Sequence, residues 1–351
     1  MTKADSTPQT YYPWFDWLRG LLAIVVMLGH DGLIGWPDVG NFAVQVFFAL
    51  SGWLIGGVLI QTPRQDLPRF YFNRAVRIWA PYYIALFLLV AASTLRDPVN
   101  AKWLEFVAYK LTFVYNLFGP SQLAAHRADM PLQGTGNHFW SVNAEEQFYL
   151  LAPLILVLAV PRFGRSVLTW LGIAAMAWFL RYYASIVFGV LAAVVASRQP
   201  DIFNRRAMRF ALLAIGLAAA GGIAAGFEYE LFAPPVAVAI VMLLAVKGPR
   251  QSLGALVGGM SYPLYLNHWI GVFVMNAALR PFGLRDSMAS HVLSSTFNIA
   301  FSTALYWYVD RRLLASRPRL YSLTRGRLAA GAAYGMVIAG LIFGVLCGAH
   351  R

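Results

Sequence analysis

The sequence predicts an all-α, polytopic membrane protein, and composition together with apolar spacing carries that prediction. Hydrophobic residues are 59% of the 351 and charged residues only 12%. Apolar stretches recur along the whole chain, each near the roughly 20 residues that a helix needs to cross a bilayer. Eleven spans are expected, at 16–34, 42–61, 78–95, 140–160, 166–180, 184–197, 209–226, 231–246, 260–279, 289–309 and 328–348. Charge orients them. Lys and Arg collect on cytoplasmic connections, and with the N-terminus cytoplasmic the inner connections carry nineteen of these cations against eight on the outer ones. The C-terminus is then outside. The net charge of +13 follows from topology and contact with anionic inner-leaflet lipid, with no nucleic-acid partner.

The residues before Trp17 lack the basic, apolar and small-residue succession of a cleaved signal peptide, so the first span is expected to act as its own insertion signal. That span holds Arg19 and His30. Ionisable groups at bilayer depth cost from about 2.5 kcal/mol upward, which makes them candidates for function. Eleven residues at about 100° each bring His30 back to within about 20° of the face of Arg19, but about 16 Å further along the axis. The two share a face without touching, Arg19 toward the cytoplasmic mouth and His30 in the outer half. The alternative for His30 is a pore-facing imidazole bonded to a backbone carbonyl, and Asp31 reads as a polar end of the span or as part of a site.

At the inner end of the third span, Arg74 and Arg77 lie three residues apart on one helical face. Two guanidinium forks suit a phosphate or pyrophosphate, although positive-inside anchoring explains the same spacing. The connection 96–139 contains the apolar segment 103–115, interrupted by Glu105 and Lys110, and predicts an interfacial or re-entrant helix on the outer side. The fourth span opens with His138, Trp140, Asn143, Glu145, Glu146 and Gln147. One of the two glutamates is explicable as a helix cap, both less readily. Glycine-rich stretches at 216–226 and 254–258 are read as close helix packing. The ninth span puts Tyr265 and His268 on one face, as a site or as satisfied packing residues. The single cysteine, Cys347, excludes an internal disulfide and a multi-thiolate metal site. The chain is expected to form one membrane-embedded domain over 1–351.

These motifs together resemble the acyltransferase 3 family of integral-membrane acyltransferases. The matching features are Arg19 and His30 with ten residues between them, the stretch from Phe47 to Ile55, Arg74 with Arg77, Trp140-Ser141 with the run from Glu145 to Tyr149, and Ser261-Tyr262 with Tyr265, Leu266 and His268. They occur in family order across about 13–310, with an extra span at 328–348 beyond. Many relatives carry an additional extracytoplasmic esterase-like domain, which is not expected here. The resemblance implies an enzyme transferring acyl groups other than aminoacyl groups, by O-acylation, usually O-acetylation, of a carbohydrate or glycan hydroxyl with cytoplasmic acetyl-CoA or another acyl-CoA as donor and no metal. It also implies a multi-pass protein of the bacterial inner membrane. Asp31 and the polar filling Val142-Asn143-Ala144 depart from the family pattern.

A hydroxyl is a poor nucleophile, and a positioned imidazole can take its proton as it attacks a thioester. His30 is therefore the expected general base. Arg19, Arg74 and Arg77 would hold the CoA phosphates, and Glu145, approaching from the outer side at a depth like that of His30, would orient the imidazole or bind acceptor hydroxyls. Trp140, Glu146, Tyr265 and His268 are candidate acceptor contacts, with Tyr149 and Trp269 as further aromatic surfaces. Direct transfer and a transient acyl-His30 intermediate both stay open. The rival class is a transporter or flippase of a glycan or lipid-linked substrate, which would call for discontinuous helices and often repeated halves; neither is visible in the sequence. A lipid-modifying transferase built on a metal-binding acidic cluster is disfavoured by the lack of an Asp-rich loop.

Overall fold

The computed structural model describes residues 11–159 and 161–348, and among these there is no β-strand. Lipid offers no partner to a free backbone N–H or C=O, so a chain this apolar satisfies its backbone within helices. The helices are α1 (Pro13–His30), α2 (Val39–Gln61), α3 (Leu67–Thr94), α4 (Ala101–Leu111), α5 (Tyr115–Phe118), α6 (Phe139–Pro153), α7 (Pro161–Gly164), α8 (Val167–Phe179), α9 (Ala184–Arg198), α10 (Arg206–Ala224), α11 (Tyr229–Leu244), α12 (Ser252–Asn267), α13 (Trp269–Leu279), α14 (Met288–Leu305), α15 (Arg311–Leu320) and α16 (Leu323–Gly348). Wide π-helical turns follow α6 at Leu154–Ala159 and α14 at Tyr306–Asp310. Pro13 opens α1, where its missing N–H costs nothing. The Asn100 side chain caps α4 by accepting from Trp103 N at 2.8 Å.

Every predicted span falls on helix. Among the described residues, four segments are long and apolar enough to cross a membrane unaided: Val39–Gln61, Arg64–Thr94, Arg206–Ala224 and Leu323–Cys347. The protein is an all-α membrane protein. The ninth predicted span differs, because the helix breaks at His268. The break has a side-chain cause. Asn298 of α14 inserts into the ladder, accepting from Gly271 N at 2.8 Å and donating to His268 O, so the local i to i−4 pattern gives way to a side chain from a neighbouring helix.

The chain divides into two compact units, one drawn from Met1–Gly57 and Ser166–Tyr265, the other from Val58–Arg165 and Leu266–Arg351. In the first unit, backbones approach through glycines. A Cβ on Gly52 of α2 would lie 2.0 Å from Ile186 O of α9, and one on Gly189 of α9 would lie 2.2 Å from Ala49 O. The contact between α1 and α12 is similar: Gly258 faces the Asp16 backbone and Gly20 faces Val257. Hydrophobicity does not drive helices together in lipid, and small residues permit the close van der Waals packing that does. The glycine-rich stretch at 254–258 is thus a packing seam, as expected.

In the second unit, α3 packs on α16, with Tyr71 and Tyr334 hydroxyls 2.9 Å apart and Tyr334 OH donating to Leu150 O at 2.9 Å. The α4 helix has 11 residues, about 16 Å at the helical rise and too short to cross a bilayer core of about 30 Å. It is tucked into the unit. Lys110 is only 1% exposed; its ammonium lies 3.0 Å from the Tyr115 ring centre and donates to Gly136 O at 3.1 Å. That bond ties α4 to the loop leading into α6.

Gly52→Leu is expected to destabilise the protein by about 1–3 kcal/mol or more, because the obstruction is backbone rather than a yielding side chain. Gly57→Ala, with nothing within 4 Å of the added carbon, serves as the control. Thermal unfolding of detergent-purified protein followed by size-exclusion chromatography reads both, with a lower midpoint for Gly52→Leu alone.

Candidate functional site

The second unit gathers most of the predicted polar residues along the seam between α3 and α6. The two helices run antiparallel, and their register is written in side-chain pairs. Asn143 Nδ2 donates to Tyr82 OH at 2.9 Å, and Trp79 Nε1 donates to Glu146 Oε1 at 2.9 Å. Below them the Arg74 guanidinium lies 5.7 Å from the centre of the Tyr149 ring, and Tyr149 OH donates to Glu145. Glu145 is within electrostatic reach of Arg74. The sequence predicts Glu145 near the outer side and Arg74 at the inner end; in the structure Tyr149 lies between them. Inter-helix register was the missing information.

The helix begins at Phe139, so Glu145 and Glu146 stand beyond its first turn and neither is a cap. Glu146 is 3% exposed, and its Oε2 has no hydrogen-bond partner. Asn143 and Gln147 have other work. Asn143 Oδ1 accepts from Tyr115 N at 3.0 Å, and Gln147 Nε2 donates to Phe113 O at 2.7 Å and Asn116 Oδ1 at 2.8 Å. These two amides pin α6 to the segment after α4. Trp140 is half-buried beside them in sequence.

Arg74 also lies over Phe70, 5.9 Å from the ring centre, and its Nε is buried with no hydrogen-bond partner. Arg77 is exposed and shares the field of Arg74, Arg317 and the buried Asp310. Arg317 of α15 in turn feels Arg69, whose guanidinium covers Tyr321 at 5.6 Å. Burial and the neighbouring guanidinium groups push Arg317 below the usual arginine range. Arg69 and Arg317 are two of the nineteen cations on the inner connections. No local pattern could add them to Arg74 and Arg77, because α15 reaches α3 only through tertiary packing, with Tyr321 edge-on to Phe72 at 5.6 Å.

A second cluster lies at the helix break. His138 and His268 are both buried, with ring centres 4.7 Å apart, and His138 Nε2 lies 3.3 Å from Leu266 O. Trp269 beside them is 7% exposed. In the sequence His138 belongs to the polar opening of the fourth span.

In the first unit, α1 is one unbroken helix, so Arg19 and His30 share a face about three turns apart, as the spacing predicts. Arg19 Nη1 lies 3.2 Å from Asp16 Oδ1, and Asp16 also accepts from Tyr11 OH. Burial and this bond to the carboxylate push Tyr11 up to about 12. His30 is the last residue of α1 and is exposed. Its Nε2 faces Gly40 in the first turn of α2, where an added Cβ would stand 3.7 Å away. Asp31 is the C-cap of α1, its backbone N–H bonded to Met27 O at 3.0 Å. Tyr265 is buried, edge-on to Phe47 at 6.1 Å, which joins two of the motifs within this unit.

In the second unit a buried carboxylate, Glu146, lies within electrostatic reach of Arg74, whose buried Nε has no hydrogen-bond partner. The comparisons identify the class: a family model described as an acyltransferase domain matches residues 12–309, and the chain belongs to the acyltransferase 3 family. It is an integral-membrane O-acyltransferase. Over 352 residues it is 27% identical to a Komagataeibacter xylinus protein named as a membrane-bound transacylase, covering 93% of this chain and 89% of that one. It is 26% identical over 193 residues to the peptidoglycan O-acetyltransferase OatA of Listeria monocytogenes, which is 52% of this chain and 31% of the relative. It is 30% identical over 159 residues to the O-acetyltransferase OatA of Staphylococcus aureus, 44% of this chain and 26% of the relative. The chain thus spans about a third or less of the two named O-acetyltransferases. No solved structure matches.

Proposed function

We propose that this O-acyltransferase draws its acyl group, most simply acetyl, from cytoplasmic acyl-CoA and places it on a hydroxyl of a carbohydrate or glycan of the cell envelope. In this reading the chain is one acyltransferase domain, lies in a bacterial inner membrane with its N-terminus cytoplasmic, and crosses it eleven times. The observation that carries the donor assignment is the arginine group of the second unit. Arg74 has a buried Nε with no hydrogen-bond partner, and it shares its surroundings with Arg77 and Arg317. Like charges held together repel, and a polyanion such as the CoA phosphates relieves that repulsion through bidentate hydrogen bonds. The names of the relatives support a glycan acceptor.

Each residue then has a role. Arg74 and Arg77, with Arg19, hold phosphate. His30 accepts the proton of the acceptor hydroxyl as its oxygen attacks the thioester carbon. The C–O bond of the new ester forms as the C–S bond breaks, the CoA thiolate leaves, and the imidazolium returns the proton to it. Glu145 binds acceptor hydroxyls, with Trp140, Glu146, Tyr265 and His268 as further acceptor contacts.

His30→Ala is expected to abolish acyl transfer while the protein remains inserted and monodisperse. Near-normal turnover by a well-expressed variant would end the general-base assignment. Arg74→Ala and Arg77→Ala are each expected to weaken CoA binding by about 10- to 100-fold, the loss of one charge-assisted hydrogen-bonding group. Calorimetry in detergent measures this, and parental affinity in both variants would reduce the pair to a topological anchor. Sidedness is read in a Cys347→Ser background: Gln65→Cys should resist an impermeant thiol reagent in intact cells and Gln133→Cys should react. The reverse pattern would remove the cytoplasmic donor site.

A further inference from the structure

Beyond the acyl-transfer residues, one further site is built into the second unit. A groove of 790 Å³ runs along the outer face of α14 and α15, across the π-helical turn Tyr306–Asp310. Its floor is small and apolar, with Ala300 and Ala304 on the α14 side. Trp307 and Tyr308 form its walls and are 46% and 67% exposed. Leu293, one turn pair earlier on the same helix face, is also exposed, so this face of α14 is directed to lipid rather than to protein.

The charged end of the groove is organised. Arg311 lies over the Trp307 ring at 4.1 Å and Arg312 over the Tyr308 ring at 5.6 Å. Neither guanidinium makes an ion pair among the described residues. The neighbouring acid, Asp310, is buried and stands within reach of Arg77, on α3. An aromatic ring holds a guanidinium over its face without using its N–H donors, which stay available to an anion. Tryptophan and tyrosine also mark the headgroup level of a bilayer.

We propose that this groove is a binding site for one anionic glycerophospholipid. The two arginines take the phosphate of the headgroup, and an acyl chain lies along the alanine floor between the two aromatic walls. The occupant is a lipid rather than a free phosphate because the groove continues from the charged end into an apolar trough of ligand-sized volume. Basic clusters at the membrane surface attract anionic lipid by about 1 kcal/mol per side chain. The site is independent of the acyl-transfer residues, and its failure would leave their assignment untouched.

Native mass spectrometry of the detergent-purified full chain, titrated with dioleoylphosphatidylglycerol and with dioleoylphosphatidylcholine, tests it. One phosphatidylglycerol is expected to bind in preference to phosphatidylcholine. In the double variant Arg311→Gln/Arg312→Gln its affinity should fall roughly 30-fold. Ala304→Trp, which fills the floor and leaves every charge in place, should lose it as well. Glycerophosphoglycerol, the same headgroup without chains, should not compete. Parental affinity in the double variant, equal binding of the two lipids, full competition by the chainless headgroup, or undiminished binding by Ala304→Trp would each overturn the proposal.

Discussion

A polar side chain that enters a bilayer has to find its partner within the protein, since the lipid offers none. The seam between α3 and α6 is built under that constraint. Tyr82 meets Asn143, Trp79 meets Glu146, and Arg74 meets Tyr149 and through it Glu145. Each pair fixes the sliding register of the two helices, because a shift of one turn would orphan all of them. Leaving one buried donor or acceptor unsatisfied costs about 1–3 kcal/mol, which makes the register far more specific than apolar packing alone. The arginine end of the site inherits its geometry from this ladder.

The first unit is held differently. Its helices meet through glycines, with carbonyl oxygens of one helix occupying the space a side chain would take on the next. Gly20, Gly254 and Gly258 seat α1 against α12, and Gly52 and Gly189 seat α2 against α9. The consequence for His30 is a fixed helix end. His30 is the last residue of α1, and its Nε2 faces the backbone of Gly40.

Irregular backbone appears where chemistry-bearing residues sit. The helix break at His268 exists because Asn298 replaces a ladder partner, and it leaves two imidazoles side by side. The π-helical turn at Tyr306–Asp310 sends Asp310 inward while Trp307 and Tyr308 stay exposed. Wide turns of this kind rotate the residues that follow, which is how one short segment presents an acid to one side and an aromatic pair to the other.

Much of this was legible before any coordinates. The apolar stretches placed the helices, since lipid admits almost no other backbone. The spacing of Arg19 and His30 set them on one face about three turns apart, because an unbroken helix has a single period. Arg74 and Arg77 were placed on one helical face by their spacing of three. What the sequence could not determine was every relation between helices. Glu145 joins Arg74 because α3 and α6 run antiparallel in a particular register, Arg317 joins the arginines because α15 folds back onto α3, and the helix at 260–279 breaks because a distant asparagine reaches it. Local periodicity follows from the backbone of each segment alone, whereas register, neighbour and interruption depend on side chains far apart in the chain, and only the tertiary structure decides which of them meet.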